Sequence, residues 1–167
     1  MKTAIKILIP TDFSAFSLAA LDYVKSQPMM DAATLYLLHV VNDPVLVAPY
    51  PSVDLNTETI LRDAVARAEQ EMEQFVRKNI GEKRRVVPAV RRGEASREIN
   101  AFAADEKMDL IVIATHGRTG LAHMILGSVA EKVIRYSHVP VLTIKPQDVL
   151  GAMPHQDAPR RAHEEVE

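Results

Sequence analysis

The chain of 167 residues contains no cysteine. This absence excludes a disulfide framework, catalysis by a thiol nucleophile and metal sites built on cysteine ligands. The sequence also has little excess charge, because 20 lysines and arginines oppose 22 aspartates and glutamates to give a net charge of −2. Without a basic surface to neutralise a phosphate backbone, we expect no nucleic acid as a bulk partner. Any phosphate-bearing ligand would have to be held by local donors.

Long apolar runs are missing as well. No segment reaches the roughly 18 apolar residues that mark a membrane span, and the first ten residues lack the apolar core of a signal peptide. We therefore expect no membrane insertion and a cytoplasmic location. The sequence also lacks the G-x4-G-K-[ST] motif, a G-x-G-x-x-G after the first apolar run and a G-x-S-x-G elbow, so it is not a P-loop NTPase and has no serine-hydrolase signature.

Short apolar runs alternate along the chain with segments that have the 3–4 spacing of amphipathic helices. Strict alternation predicts an α/β fold, an open five-stranded parallel sheet with helices on both faces. The third apolar run contains Pro88 between basic flanks, which predicts a position near a sheet edge. Strands are expected at 5–9, 35–41, 84–91, 109–114 and 139–145, and helices at 14–26, 57–79, 94–107 and 128–137.

Two further segments have neither pattern. Residues 42–56 contain three prolines and predict a functional or mobile loop. From 148 to 167 no periodic apolar pattern remains, which predicts a mobile tail behind a single domain at 1–147.

The stretch from 114 to 128 is typical of a phosphate site, because a glycine-bearing loop joins a buried strand to a helix start. Gly117 and Gly127 would let the backbone approach a phosphate closely, although both also fit an ordinary loop. Ser128 and Glu131 match an S-x-x-E capping box, so Ser128 either caps its helix or also donates to a phosphate. Arg118 is either a cation near the outer phosphates or a solvated surface residue.

The segment after the first strand is the second candidate. Ligands of open α/β sheets bind beyond the carboxyl ends of the strands, where the strand order reverses. If strands one and four are neighbours, Asp12 faces the same crevice as the 114–128 loop. Asp12 either accepts hydrogen bonds from ribose hydroxyls or, like Ser14, caps the first helix.

The six histidines show no metal-ligand spacing, and His39, inside an apolar strand, is interpreted as a packed, hydrogen-bonded core residue. Glu69, Glu71 and Glu73 on the long helix are most simply a solvated face. Any metal is expected to be Mg²⁺ or Mn²⁺ carried by the phosphates of a nucleotide.

Together these segments resemble the universal stress protein family. The resemblance runs from residue 4 to about 146 and is based on P-T-D-F-S at 10–14, L-H-V at 38–40, G-E-A-S-R-E-I at 93–99, T-H-G-R-T-G at 115–120, G-S at 127–128 and V-P-V-L at 139–142. It implies a Rossmann-like, nucleotide α-hydrolase-like sheet with strand order 3-2-1-4-5.

The resemblance also implies a site. The ATP-binding branch of the family has G-x2-G-x9-G-[ST], and here Gly117, Gly127 and Ser128 match, whereas Ala114 replaces the first glycine. Because alanine forbids only left-handed backbone, we expect binding to survive. The residues implied to contact ATP are Pro10, Thr11 and Asp12 at adenosine, Val40 at the adenine edge, Ala114, Thr115 and His116 beside them, and Gly117, Arg118, Gly127, Ser128 and Val129 at the phosphates.

The family resemblance implies a homodimer through strand 139–145, an edge strand whose main-chain groups need a partner. The predicted function is therefore an ATP-binding, nucleotide-sensing stress factor that acts on an unknown protein partner. Two alternatives stay open: a nucleotide-free interaction module of the same fold, and a slow ATPase or adenylyl-transferring enzyme. The absence of an S-G-G-x-D-S loop argues against the adenylyl-transferring enzyme.

Overall fold

The computed structural model describes residues 4–42, 56–80, 84–115 and 126–145. These residues form five strands, four α-helices and one 3-10 turn at Pro28–Met30, which the sequence pattern did not predict. The elements are β1 (Lys6–Pro10), α1 (Ala15–Ser26), β2 (Thr34–Val41), α2 (Asn56–Asn79), β3 (Arg85–Arg92), α3 (Ala95–Asp105), β4 (Leu110–Ala114), α4 (Ser128–Tyr136) and β5 (Val141–Ile144).

The five strands form one parallel sheet in the order β3-β2-β1-β4-β5. This confirms the predicted fold class and strand order, including the edge positions of β3 and β5. The order reverses at β1, which pairs with β2 on one side and β4 on the other. The carboxyl ends of these three strands therefore surround the switch point at which such sheets bind ligands.

The apolar runs of the strands are continuous because both faces of the sheet are covered. In β1, Ile7 and Ile9 pack with α1 and α2 on one face, whereas Leu8 packs with α3 and α4 on the other. All three side chains are at most 1% exposed. The sheet thus separates two apolar cores, and its central strand contributes to both.

Two elements are shorter than their patterns predict. Helix α3 ends at Asp105 instead of 107, because Lys107 adopts a left-handed φ of 54°. The N–H of Met108 then donates to the carbonyl of Ala103 at 2.9 Å, which closes the helix in the manner of a Schellman motif. Strand β5 begins at Val141 instead of 139, because the N–H of Val139 donates to Ser137 Oγ at 3.0 Å and Pro140 has no N–H.

Several predictions fall outside the described residues: most of the 42–56 loop, the loop residues His116, Gly117 and Arg118, and the tail at 148–167. Within the described ranges, no helix combines the length and the apolar character needed to cross a bilayer.

Candidate functional site

A cleft of about 720 Å³ opens at the carboxyl ends of β1, β2 and β4. Its walls come from the ends of these strands, one face of α2 and the first residues of α3 and α4. The structure therefore brings two predicted segments, the one after β1 and the one before α4, to a single site. The predicted residues that line the cleft are Pro10, Thr11, Asp12, Val40, Ala114, Thr115, Gly127, Ser128 and Val129.

Helix α1 is capped by Ser14, whose Oγ accepts from the N–H of Ser17 at 3.2 Å. Asp12 supports this cap, because its Oδ1 accepts from the Ser14 N–H at 3.1 Å and from the Ser14 hydroxyl at 2.6 Å. Of the two residues considered as helix caps, Ser14 has that role. Asp12 is half-buried and lines the cleft beside this cap.

The main chain of Thr11 is tied to β2. Its N–H donates to the carbonyl of Leu38 at 2.8 Å, and its carbonyl lies 2.8 Å from Nδ1 of His39. The Thr11 hydroxyl lies 3.0 Å from that of Ser17 and also accepts from the N–H of Phe13. His39 is therefore packed and hydrogen-bonded as predicted, but it is half-buried at the rim of the cleft instead of in the core.

Val40 belongs to the part of β2 that extends beyond β1, because the last β1–β2 pair joins Pro10 to Leu38. The N–H of Thr34 and the carbonyl of Leu38 bond on the β1 side of β2. Since alternate residues of a strand direct their main-chain groups to the same side, the N–H and C=O of Val40 also face that side. These groups therefore lie beyond the β1–β2 ladder, on the side of β2 that lines the cleft.

Helix α4 begins at Ser128, and its N-cap is Gly127, which has no side chain with which to cap. The predicted capping box is therefore wrong: Ser128 lies inside the first turn, and the N–H of Glu131 donates to the carbonyl of Gly127 at 2.9 Å. The Glu131 carboxylate instead pairs with Arg135 one turn later, at 2.8 Å. Ser128 is exposed at the cleft.

The amide of Gly127 donates to the carbonyl of Thr115 at 2.6 Å, which fixes the helix start to the end of β4. The first amides of an α-helix have no intrahelical acceptor, so the donors that α4 offers to the cleft are those of Ser128, Val129 and Ala130. The partial positive charge of the helix start adds to these donors. Helix starts with this arrangement are typical sites for anions.

Ala114 is the last residue of β4 and is 7% exposed. Among the described residues other than glycine, only Phe13 and Lys107 have positive φ. The position that Ala114 occupies thus has no need of a left-handed backbone. This geometry fits the expectation that alanine is tolerated where the family pattern has glycine.

Helix α3 begins at the same cleft but is capped by its own carboxylate. Glu94 accepts from the N–H of Arg97 at 2.9 Å and from the Ser96 hydroxyl at 2.8 Å, and Lys132 of α4 lies 3.4 Å away. Partial burial alone would raise the pKa of Glu94, but these hydrogen bonds and the Lys132 charge outweigh it and lower the pKa below its ordinary value.

Sequence reasoning missed the α2 wall of the cleft. Ala64, Arg67, Ala68 and Glu71 line it and follow the i, i+3, i+4, i+7 spacing of one helix face. That spacing is visible in the sequence, but the sequence pattern predicts only a solvated face for Glu71. Glu71 is indeed exposed, but at the rim of the cleft.

Comparison with known proteins adds the family. A model of the universal stress protein family matches residues 5–145. The chain belongs to the universal stress protein family. Universal stress protein MJ0577 of Methanocaldococcus jannaschii is 32% identical over 154 residues, with 84% of this chain and 94% of that protein covered. Universal stress protein MJ0531 of the same organism is 36% identical over 142 residues, with 84% and 81% covered.

Solved structures of universal stress proteins share the fold. That of MJ0577 superposes with a TM-score of 0.74 and 33% identity, covering 84% of this chain and 95% of that chain. A universal stress protein family protein from Arabidopsis thaliana with AMP bound has a TM-score of 0.59 and 18% identity, covering 84% and 91%. At this lower identity the likeness concerns the fold alone.

Proposed function

We propose that this universal stress protein binds ATP in the cleft and acts as a nucleotide-dependent regulatory factor of the stress response. The observation that carries the proposal is the start of α4, which reaches the cleft with a glycine N-cap and, within the described part of the chain, no side-chain cap. Helix starts of this kind bind phosphate groups through N–H donors and the helix dipole.

The remaining contacts follow from the position of the phosphates. With phosphate oxygens at the amides of Ser128 and Val129 and at the Ser128 hydroxyl, the nucleoside extends across the switch point toward β2. There Asp12 meets the ribose hydroxyls, and the main chain of Val40 meets the adenine edge. His116, Gly117 and Arg118, which lie outside the described residues, complete the phosphate site in this proposal.

A divalent ion would arrive with the nucleotide. No group of three or more acidic or histidine side chains converges in the part of the chain that the structure describes. Mg²⁺ keeps several waters and binds readily through nucleotide phosphates. The proposal therefore assigns Mg²⁺ or Mn²⁺ to the triphosphate and not to a protein cage.

Regulation would follow from a shift between two states of the cleft. A ligand moves such an equilibrium only by its difference in affinity for the two states. We place the protein in the cytoplasm as a homodimer that joins copies through the outer edge of β5, with an unidentified protein partner reading the nucleotide-bound form. Edge pairing satisfies the main-chain groups that an unpaired edge strand exposes.

The test is calorimetric titration of the protein with ATP and Mg²⁺, beside the Gly127→Val variant. Gly127 has φ −69° and ψ 150°, an extended conformation that valine adopts freely. The variant should fold with a melting temperature within a few degrees of wild type and should lose ATP affinity by at least about 100-fold, since its branched side chain stands over the amides.

The matched control is Ala32→Val. Ala32 is exposed and lies just before β2, at the amino ends of the strands, away from the cleft. It should bind ATP like the wild type. Flat titrations of correctly folded wild type would favour the nucleotide-free interaction module. Release of pyrophosphate or phosphate over many turnovers would favour the enzyme.

A further inference from the structure

One residue of β2, His39, holds the chain on both sides of Asp12. On one side its Nδ1 lies 2.8 Å from the carbonyl of Thr11. Because a carbonyl oxygen can only accept, Nδ1 carries the proton of this hydrogen bond. On the other side the ring of Phe13 stacks on the imidazole, with centroids 4.3 Å apart and planes at 25°.

The stack matters because Phe13 has a φ of 63°, in the left-handed region. A residue with a bulky side chain stays there only where its surroundings hold it. The N–H of Phe13 donates to the Thr11 hydroxyl at 3.0 Å, and its ring also contacts that of Phe75 at 5.7 Å. His39 is thus one of the groups that keep this unfavourable turn in place.

Asp12 is the central residue of that turn. Its neighbours on both sides, Thr11 and Phe13, are anchored to the same imidazole, so a change at His39 would move the Asp12 carboxylate through them. Asp12 Oδ1 is already oriented by the N–H and hydroxyl of Ser14, at 3.1 and 2.6 Å. The position of the Asp12 carboxylate at the cleft is therefore set by β2 and α1 together.

We infer that His39 is a positioning residue that aims Asp12 at the ribose, so that the cleft selects ribonucleotides over 2′-deoxyribonucleotides. This inference rests on the proposed function. His39 acts through Thr11 and Phe13, and the ligand class it selects carries a vicinal 2′,3′-diol. A role limited to folding would weaken both kinds of nucleotide equally.

The experiment measures the dissociation constants of ATP and 2′-deoxy-ATP with Mg²⁺ by calorimetry and takes their ratio. His39→Phe keeps an aromatic ring for Phe13 but removes the N–H donor. Its preference for ATP over the deoxynucleotide should fall about fivefold to tenfold, the effect of roughly one hydrogen bond. His39→Asn, whose side-chain amide can donate to Thr11, should retain most of the preference.

The matched control is His138→Phe, the same replacement at an exposed histidine. His138 lies just before β5, at the amino ends of the strands, away from the cleft. It should leave the ratio unchanged. Should His39→Phe fail to fold, Phe13→Gly tests the other half of the contact, because glycine tolerates the left-handed φ while losing the stack. That variant too should lose part of the preference.

The outcomes separate the two proposals. Absence of binding of either nucleotide to the wild type contradicts the proposed function. If the wild type binds ATP but the preference for ATP over 2′-deoxy-ATP is unchanged in His39→Phe and Phe13→Gly, the inferred role of His39 is wrong and the proposed function stands. The same holds if these variants lose affinity equally for both nucleotides.

Discussion

Helices α3 and α4 both begin at the cleft, but their first turns are satisfied in opposite ways. Glu94 places a carboxylate over the start of α3, where it accepts from Arg97 N–H and the Ser96 hydroxyl. Gly127 places nothing over the start of α4. The positive ends of two helix dipoles thus face the same cleft. That of α3 is neutralised by the carboxylate of its N-cap, whereas that of α4 is not.

This difference explains why the proposed phosphate site lies at the start of α4 and not at that of α3. The β-α crossovers of a parallel sheet bring several helix starts to one edge, and each start is a possible anion site. Internal capping closes α1 with Ser14 and α3 with Glu94. Among α1, α3 and α4, only α4 begins without a side-chain cap, and the proposed phosphate site lies there.

The strongest way to break the contrast is Gly127→Asp, which gives α4 the same kind of cap as α3. The new carboxylate would accept from the first amides and repel a triphosphate, so ATP affinity should fall at least about 100-fold. The free protein should be as stable as the wild type or slightly more so, because aspartate is a better N-cap than glycine. Calorimetry and thermal unfolding measure the two effects.

Gly127→Asn separates capping from charge. Asparagine caps about as well as aspartate but carries no charge, so its loss of ATP affinity should be about ten times smaller than that of the aspartate variant. ATP binding by Gly127→Asp within threefold of wild type would show that the phosphates lie elsewhere.

Much of this site was predictable because its positions follow from local pattern. The apolar runs place the ends of β1, β2 and β4, and alternation makes the sheet parallel, so the segments containing Asp12 and Gly127 were expected on the same side of the sheet. That β1 and β4 are neighbours was implied by the family resemblance. The cap of α4 was not predictable in this way. An S-x-x-E sequence looks the same whether serine is the N-cap or the first helical residue, and here the hydrogen bond from Gly127 to Thr115 decides.

The left-handed turn at Phe13 had no local signal at all. Phenylalanine is a poor candidate for positive φ, and its ring is held there by contacts with His39 and Phe75, 26 and 62 residues later in the sequence. Contacts between strands thus set the fine geometry of a site whose location the local pattern already indicates. Tertiary packing likewise brings one face of α2 to the cleft.

The next prediction concerns the approach to α3, where Gly93 has a φ of 145°. This region is almost closed to residues with a Cβ, and Gly93→Ala should therefore cost about 2 kcal/mol of unfolding free energy, measured by urea titration. ATP affinity of the folded variant should change less than at Gly127, because the amides of α4 are untouched. A stronger effect on binding than on stability would contradict the contrast between the two helix starts.

A second contribution at Gly93 can be separated from the backbone. A Cβ there would lie 2.9 Å from Glu98 Cγ, but a glutamate side chain can move aside at small cost. In a Glu98→Ala background, Gly93→Ala should therefore keep most of its destabilisation. If the loss disappears in that background, steric contact and not the φ angle is the cause.

The smallest expected effect is the pH dependence of the α3 cap. Replacing Glu94 by alanine should cost about 1 kcal/mol at neutral pH, as loss of an N-cap usually does. Because the pKa of Glu94 is lowered in the folded protein, its stabilisation is complete above the unfolded-state pKa and is lost as pH falls through the folded one. The difference between wild type and Glu94→Ala should thus shrink below about pH 4. Glu94→Gln, which keeps an acceptor but has no charge to lose, should instead differ from Glu94→Ala by the same amount at every pH. A wild-type advantage that persists unchanged at low pH would show that the carboxylate charge plays no part in closing α3.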